Sequence, residues 1–314
     1  MSISSKNRIP LRGIIPPMIT PLNTDGSLDI QSVEKLIEHL ISGGVHGIFI
    51  LGTTGEFSGL SYNLRRELIV ETCNRVAGRV PILVGITDVA LEESISLAAF
   101  AASAGAYAVV VAPPFYMNID QQELCVYYEK LADAISLPMY LYNMPSHTKL
   151  TLDLATVIKL SAHERIIGLK DSSAHGVYFQ SLCHAFQDQQ EFMLMVGPEE
   201  MMAETVLMGS HGGVSGGANL YPKLYVALYT AVVDRDFKKI KTLHACVMEI
   251  SRNIYQVGDY KSSYLKGLKT AMSFAGLCQA AFASPLYIFS AQEEAELRKR
   301  VEKIEVMLKE NELV

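Results

Sequence analysis

The chain is predicted to be an α/β protein, a (β/α)8 TIM barrel with a C-terminal helical extension, and three observations predict it. Eight short apolar runs recur up to about residue 217. Segments of helical period lie between them, and beyond about residue 220 only the helical period continues. Strands apolar on both faces and alternating with helices require a parallel sheet covered by helices, and eight such units in about 220 residues require closure into a barrel. An open, doubly wound sheet is the rival arrangement.

The strand runs are "GIIPPMIT" (13–20), "GIFILG" (47–52), "VPILVGI" (80–86), "AYAVVVAP" (106–113), "PMYLYN" (138–143), "RIIGLKD" (165–171), "EFMLMVG" (191–197) and "HGGVSGG" (211–217). The helical texture is plain in "LDIQSVEKLIEHLISGG", where Val33, Leu36, Ile37, Leu40 and Ile41 share one face and Gly43 and Gly44 end the helix. After the last strand, helices are expected at about 220–233, 235–257, 261–276 and 290–311. The barrel is therefore assigned to residues 11–233 and the helical extension packed on it to 234–314, with "MSISSKNRIP" as a frayed polar terminus.

A chain of 314 residues with 49% hydrophobic and 19% charged positions can bury a large core. Its net charge of −6, without a run of Lys or Arg, gives no footing for nucleic acid or an anionic membrane, so the expected partner is a small molecule. Cys73, Cys125, Cys183, Cys246 and Cys278 are scattered, with no C-x-x-C pair and no secretory leader, which fits a reducing, cytoplasmic compartment. No apolar run approaches the roughly 20 residues of a membrane span. No histidine forms H-E-x-x-H or pairs with cysteine at zinc spacing, so no metal is expected.

The chemistry begins at "IIGLKDSS" (166–173), where a buried strand ends in Lys170. Side chains at the C-terminal ends of barrel strands converge on the site of catalysis. Lys170 is either a lysine lying along the apolar rim or a nucleophile. An amine taken out of water loses part of its preference for the ammonium form, and a neutral amine attacks a ketone to give an imine. Strand five ends in "LYNMPS", which sets Tyr142 at matching height, as an amphipathic core residue or as a proton carrier beside the imine. Strand two ends in "LGTTGEFSG", whose glycines permit a sharp turn and whose Thr53 and Thr54 offer hydroxyls and N–H groups suited to a carboxylate.

Together "GTTGE", "PPFYM", "LYNMPS" and "GLKDSS", in this order and near these spacings, resemble the dihydrodipicolinate synthase and N-acetylneuraminate lyase family from about residue 11 to the C-terminal helices. The resemblance implies a lyase on a (β/α)8 barrel that handles pyruvate through a lysine imine, without metal or other cofactor, usually as a homotetramer built as a dimer of dimers. It implies Lys170 as imine former, Tyr142 as proton shuttle, and Thr53 and Thr54 as ligands of the pyruvate carboxylate. It also implies that Tyr116 crosses from a neighbouring subunit and relays protons through Thr53. Phe115 stands where the family usually has a second tyrosine.

One departure bears on the substrate. Synthases of this family have an arginine two residues after the proline of the "YN-x-P" turn, where it holds the carboxylate of aspartate semialdehyde; this chain has His147. A neutral histidine offers no bidentate fork. Sugar-acid lyases carry acidic residues after strand seven, and here "GPEE" supplies Glu199 and Glu200. Those two residues read either as acceptors for substrate hydroxyls or as an ordinary acidic helix start. The expected activity is therefore cleavage or condensation of a 2-keto-3-deoxy sugar acid with pyruvate as the keto-acid fragment. The alternatives are condensation of pyruvate with aspartate semialdehyde, or keto-acid binding without turnover.

Two further motifs are absorbed without a new function. "GVSGG" (213–217) would make Ser215 a hydrolase nucleophile, but only Asp234, Asp236, His244 and Asp259 follow, all in the helical tail. Its glycines are read instead as giving the ligand close access to Val214 and Ser215 on strand eight. Met193, Met195, Met201 and Met202 are read as adaptable packing.

Overall fold

The eight apolar runs form eight strands: β1 Gly13–Ile14, β2 Ile48–Ile50, β3 Ile82–Gly85, β4 Ala108–Val111, β5 Met139–Asn143, β6 Ile166–Asp171, β7 Met193–Val196 and β8 Gly212–Gly213. The structure, a computed structural model, describes residues 11–313; the stretch expected to be frayed lies outside them. All strand pairs are parallel, in the order β1-β8-β7-β6-β5-β4-β3-β2. The two ends of that order meet at a parallel bridge between Pro17 and Phe49, with Phe49 N–H donating to Pro16 O at 3.0 Å and Met18 N–H to Phe49 O at 2.8 Å. That contact closes the barrel and removes the open-sheet alternative. β1 is much shorter than the run "GIIPPMIT" because Pro16 and Pro17 bring no N–H to a ladder.

The helices between strands are α1 Ile30–Ser42, α2 Tyr62–Val76, α3 Leu91–Ala104, α4 Gln121–Ala134, a single turn α5 Pro145–Thr148, α6 Leu154–Ser161, α7 Gly176–Ala185 and α8 Met202–Leu207. In α1 the Asp29 carboxylate accepts the Ser32 N–H, satisfying one of the free donors at a helix start, and Val33, Leu36, Ile37 and Leu40 are buried. The tail is α9 Pro222–Val233, α10 Phe237–Ile254, α11 Ser263–Phe274 and α12 Ala291–Glu310, each within three residues of its expected bounds. The barrel interior is filled by Ile15, Phe49, Leu83, Val110, Tyr140, Met193 and Met195 among others, and the methionines there are packing residues. The five cysteines are buried free thiols. No helix among the described residues is long and apolar enough to cross a membrane.

Glycines in the strands let backbones touch. A Cβ on Gly212 would lie 1.9 Å from Gly13 O, and one on Gly85 would lie 2.1 Å from Leu51 O. The second contact matters for the site, because Leu51 leaves β2 with φ of +57°, a left-handed conformation that disfavours a branched side chain. Gly85→Ala should therefore push the segment after β2 out of place and lower the unfolding free energy by roughly 1–3 kcal/mol, as overpacking does. Urea melts of the two proteins check this, and an unchanged midpoint would refute it.

Candidate active site

Lys170 is the fifth residue of β6 and lies at the mouth of the barrel, 6% exposed, on the wall of a cavity of about 670 Å³. Parallel pairing sets Tyr142 opposite Lys170 and Asn143 opposite Asp171. The Lys170 Nζ consequently sits 4.1 Å from the centre of the Tyr142 ring and 4.9 Å from that of Phe49 on β2. No carboxylate of the described residues forms an ion pair with it. The amine is thus walled by ring faces and open to the cavity, the setting an imine-forming lysine requires.

The strand ends that carry this pair are pinned by the next residues along. Asn143 Nδ2 donates to Asp171 Oδ1 at 2.7 Å, and Asn143 Oδ1 accepts the Leu152 N–H at 3.0 Å. Asp171 also accepts the Ser173 hydroxyl at 2.9 Å. Burial raises the Asp171 pKa above its ordinary value, against the pull of these hydrogen bonds.

The loop after β2 supplies the facing wall. Thr53 Oγ1 and Tyr142 OH are hydrogen-bonded at 3.2 Å, and Thr54 Oγ1 and Tyr264 OH at 3.1 Å. Among the described residues the N–H groups of Thr53 and Thr54 donate to no carbonyl, so both remain available to an anion. Thr53, Thr54, Tyr142 and Lys170 all line the one cavity.

Of the other expected residues, His147, Glu199, Glu200 and Val214 line the same cavity. Ser215 is fully buried, and its Oγ has no partner. His147 lies on α5 with Nδ1 3.0 Å from Ser146 Oγ. Desolvation and then the Lys149 cation hold its pKa below the ordinary value, so it is neutral at pH 7. Tyr116 is 84% exposed on the segment between β4 and α4 and is not part of the cavity wall, whereas Phe115 is.

Pro198 does begin a turn, a 3-10 segment over Glu199–Met201, and the two glutamates in it are differently placed. Glu199 spends its carboxylate on protein donors: Gly217 N–H at 2.8 Å, Tyr225 OH at 2.5 Å and Tyr255 OH at 2.7 Å. Glu200 accepts the Ser251 hydroxyl at 2.5 Å on Oε1, and its Oε2 has no protein partner among the described residues. Of the pair, Glu200 alone has a carboxylate oxygen without a protein partner among the described residues.

Reading the sequence missed Tyr255 and Tyr264, which reach the cavity from the tail, because nothing in a helical period marks a residue aimed at a barrel mouth. Asn143 and Asp171 could have been found: each directly follows a residue already singled out, at a strand end.

Burial pushes the Glu199 pKa up to about 7. The folded protein therefore holds a proton that the unfolded chain releases near 4.5. That contribution to stability is complete below about 4.5 and is lost as pH rises through about 7. The difference in melting temperature between wild type and Glu199→Gln should consequently change with pH across this window, the wild type falling more steeply. Parallel melting curves from pH 4 to 8 would contradict the assignment.

The sequence profile of the dihydrodipicolinate synthetase family matches residues 10–304. A solved dihydrodipicolinate synthase from Bacteroides thetaiotaomicron is 50% identical, with a TM-score of 0.92 over 94% of this chain and 99% of its own. YagE of Escherichia coli K12, a prophage protein solved in complex with pyruvate, is 31% identical with a TM-score of 0.89 over 94% of this chain and 98% of its own. The relative named "Probable 2-dehydro-3-deoxy-D-pentonate aldolase YjhH", also from Escherichia coli, is 31% identical over 298 residues, 94% of this chain and 96% of the relative.

Proposed function

The chain belongs to the dihydrodipicolinate synthetase family, and from that premise we propose that it is a class I aldolase in which Lys170 forms an imine with pyruvate. The observation that carries the reading is the Lys170 amine, buried between the Phe49 and Tyr142 rings yet facing the cavity. In the cleavage direction the amine adds to the C2 ketone of the substrate and water leaves, giving the imine. Loss of the proton from the C4 hydroxyl then breaks the C3–C4 bond, the electron pair passing to C3 as the imine becomes an enamine, and the aldehyde departs. Protonation at C3 and hydrolysis release pyruvate and restore the amine. Condensation is the reverse.

In this scheme Thr53 and Thr54 hold the keto-acid carboxylate with their hydroxyls and N–H groups, and Tyr142, hydrogen-bonded to Thr53, moves protons at the imine. The outward-facing Tyr116 would enter the site of a neighbouring subunit and extend that route through Thr53, in a cytoplasmic homotetramer arranged as a dimer of dimers. No metal or separate cofactor takes part in the steps proposed.

For the second fragment the reading is a 2-keto-3-deoxy sugar acid. His147, neutral, stands where a synthase would need an arginine for a second carboxylate, while Glu200 offers a free oxygen to a hydroxyl. A half-buried acceptor left without its hydroxyl penalises a poorer substrate. Condensation with aspartate semialdehyde is the second reading, favoured by the 50% identical synthase.

Borohydride added with pyruvate should leave one three-carbon adduct on Lys170 and none on Lys170→Ala. Failure to trap it would overturn the aldolase reading in favour of a keto-acid binder. Glu200→Ala should lower kcat/KM for 2-keto-3-deoxygluconate by roughly 10-fold while leaving trapping unchanged, a loss of about 1.4 kcal/mol. Efficient turnover of aspartate semialdehyde with indifference to Glu200→Ala would select the synthase instead.

A further inference from the structure

Helix α11 buries two lysines one turn apart. Lys266 and Lys269 are each 1% exposed. A buried ammonium is costly unless something replaces its water, and the two are compensated differently. Lys269 Nζ donates to Glu56 Oε1 at 2.6 Å, and the other oxygen of Glu56 accepts the Ala283 N–H at 2.8 Å. Lys266 Nζ has no hydrogen-bond partner. It lies instead 3.4, 4.2 and 4.6 Å from the ring centres of Tyr260, Tyr287 and Phe289. A cation held over several ring faces is stabilised by their quadrupoles.

Both lysines therefore grip one stretch of chain, residues 277–289, which contains no helix or strand. Ala283, Ser284, Pro285 and Leu286 of that strap line the cavity, beside Phe57, Ser58 and Gly59. The two segments lie in direct contact: a Cβ on Gly59 would meet Ala283 Cβ at 2.8 Å and Ser284 O at 2.9 Å. With no ladder or helix of its own, the strap takes its shape from these ties.

We propose that Lys266 and Lys269 are positioning residues that hold the 277–289 strap as the wall of the cavity receiving the second fragment, and so set selectivity for that fragment rather than imine formation. The inference rests on the aldolase reading. Lys269 acts through Glu56, three residues after Thr53, and so ties the carboxylate loop and the strap together. Lys266 holds Tyr287 and Phe289 of the strap against Tyr260, which precedes α11. Loosening Lys266 leaves the chemistry at Lys170 intact and misplaces the wall against which the aldehyde portion must be aligned.

The test is Lys266→Met, with Lys266→Arg to restore the cation and Tyr287→Ala as an independent variant. Tyr287 is 61% exposed, so its removal from the ring cluster leaves little cavity in the core. The probe is 2-keto-3-deoxygluconate for cleavage, or aspartate semialdehyde with pyruvate if the wild type prefers it. Lys266→Met and Tyr287→Ala should raise KM for the second fragment about 10-fold, with kcat changed less, since small misplacements of a bound partner are costly. Borohydride trapping of pyruvate on Lys170 should be as in wild type, Lys266→Arg should recover most of the KM, and hydrogen exchange should quicken across 277–289 but not in β5 or β6. Unchanged KM in Tyr287→Ala, or equal loss of trapping and turnover, would overturn the positioning role even if Lys266→Met failed to fold. Absence of trapping in the wild type would instead overturn the aldolase reading beneath it.

Discussion

The register of β5 against β6 is the constraint on which the rest of the site depends. Parallel pairing sets Tyr142 across from Lys170, and side chains at paired positions of neighbouring strands point to the same side of the sheet. A shift of one residue would turn the amine out of the barrel mouth and toward the helices. The Asn143 to Asp171 hydrogen bond locks that register at its last step, one residue beyond Tyr142 and Lys170. The next residue is held too: the Ser172 N–H donates to Asn143 O at 2.8 Å, extending the pairing past the strand ends. A pair of side chains that must meet within ångströms is thus fixed by backbone geometry rather than by contacts of its own.

The loop after β2 shows the opposite economy. Leu51 and Glu56, at its two ends, both have φ of +57°, and such conformations in residues with side chains cost on the order of 1–3 kcal/mol each. They persist because their surroundings over-determine them. Gly85 leaves room for the Leu51 carbonyl, Thr20 Oγ1 donates to Gly55 O at 2.7 Å, and the Glu56 carboxylate is held by Lys269 and Ala283. The gain is a loop whose Thr53 and Thr54 line the cavity and whose N–H groups donate to no carbonyl among the described residues. Regular structure would have spent those donors on a ladder or a helix.

The alternation of apolar runs and helical period made the barrel legible, and the eight strands lie within their predicted runs. What period alone could not show was length. β1 and β8 shrink to two residues each, because prolines interrupt one and the other gives way within two residues to a 3-10 turn. Lys170, Tyr142, Thr53 and Thr54 were legible because each ends a strand run, and strand ends of a barrel share one place. The two glutamates were legible as a pair but not as individuals. Only the donors that fold around Glu199, from the turn after β8, from α9 and from the end of α10, distinguish it from its neighbour. Tyr264 lies in α11 and Tyr255 caps the end of α10, and a helical pattern reports burial but says nothing of which cavity a buried face borders.

Those tail residues change how the division of labour should be understood. Thr53, Tyr142 and Lys170 come from the barrel, while Tyr255, Tyr264, Leu265 and the strap at 283–286 come from beyond it, and all line one cavity. The extension is therefore a wall of the site. It is joined to the barrel loops by polar contacts, Thr54 to Tyr264 and Glu199 to Tyr255, partly buried, and Glu56 to Lys269, fully buried, and polar pairs withdrawn from water tolerate little displacement because a half-satisfied network is worse than none. Lys170 and Tyr142 sit on strands of fixed register, and much of the remaining cavity wall is made of turns and tail segments. Relatives that keep this fold while bearing different substrate names fit that arrangement: the tail wall can be reshaped without disturbing the register that sets Tyr142 beside Lys170.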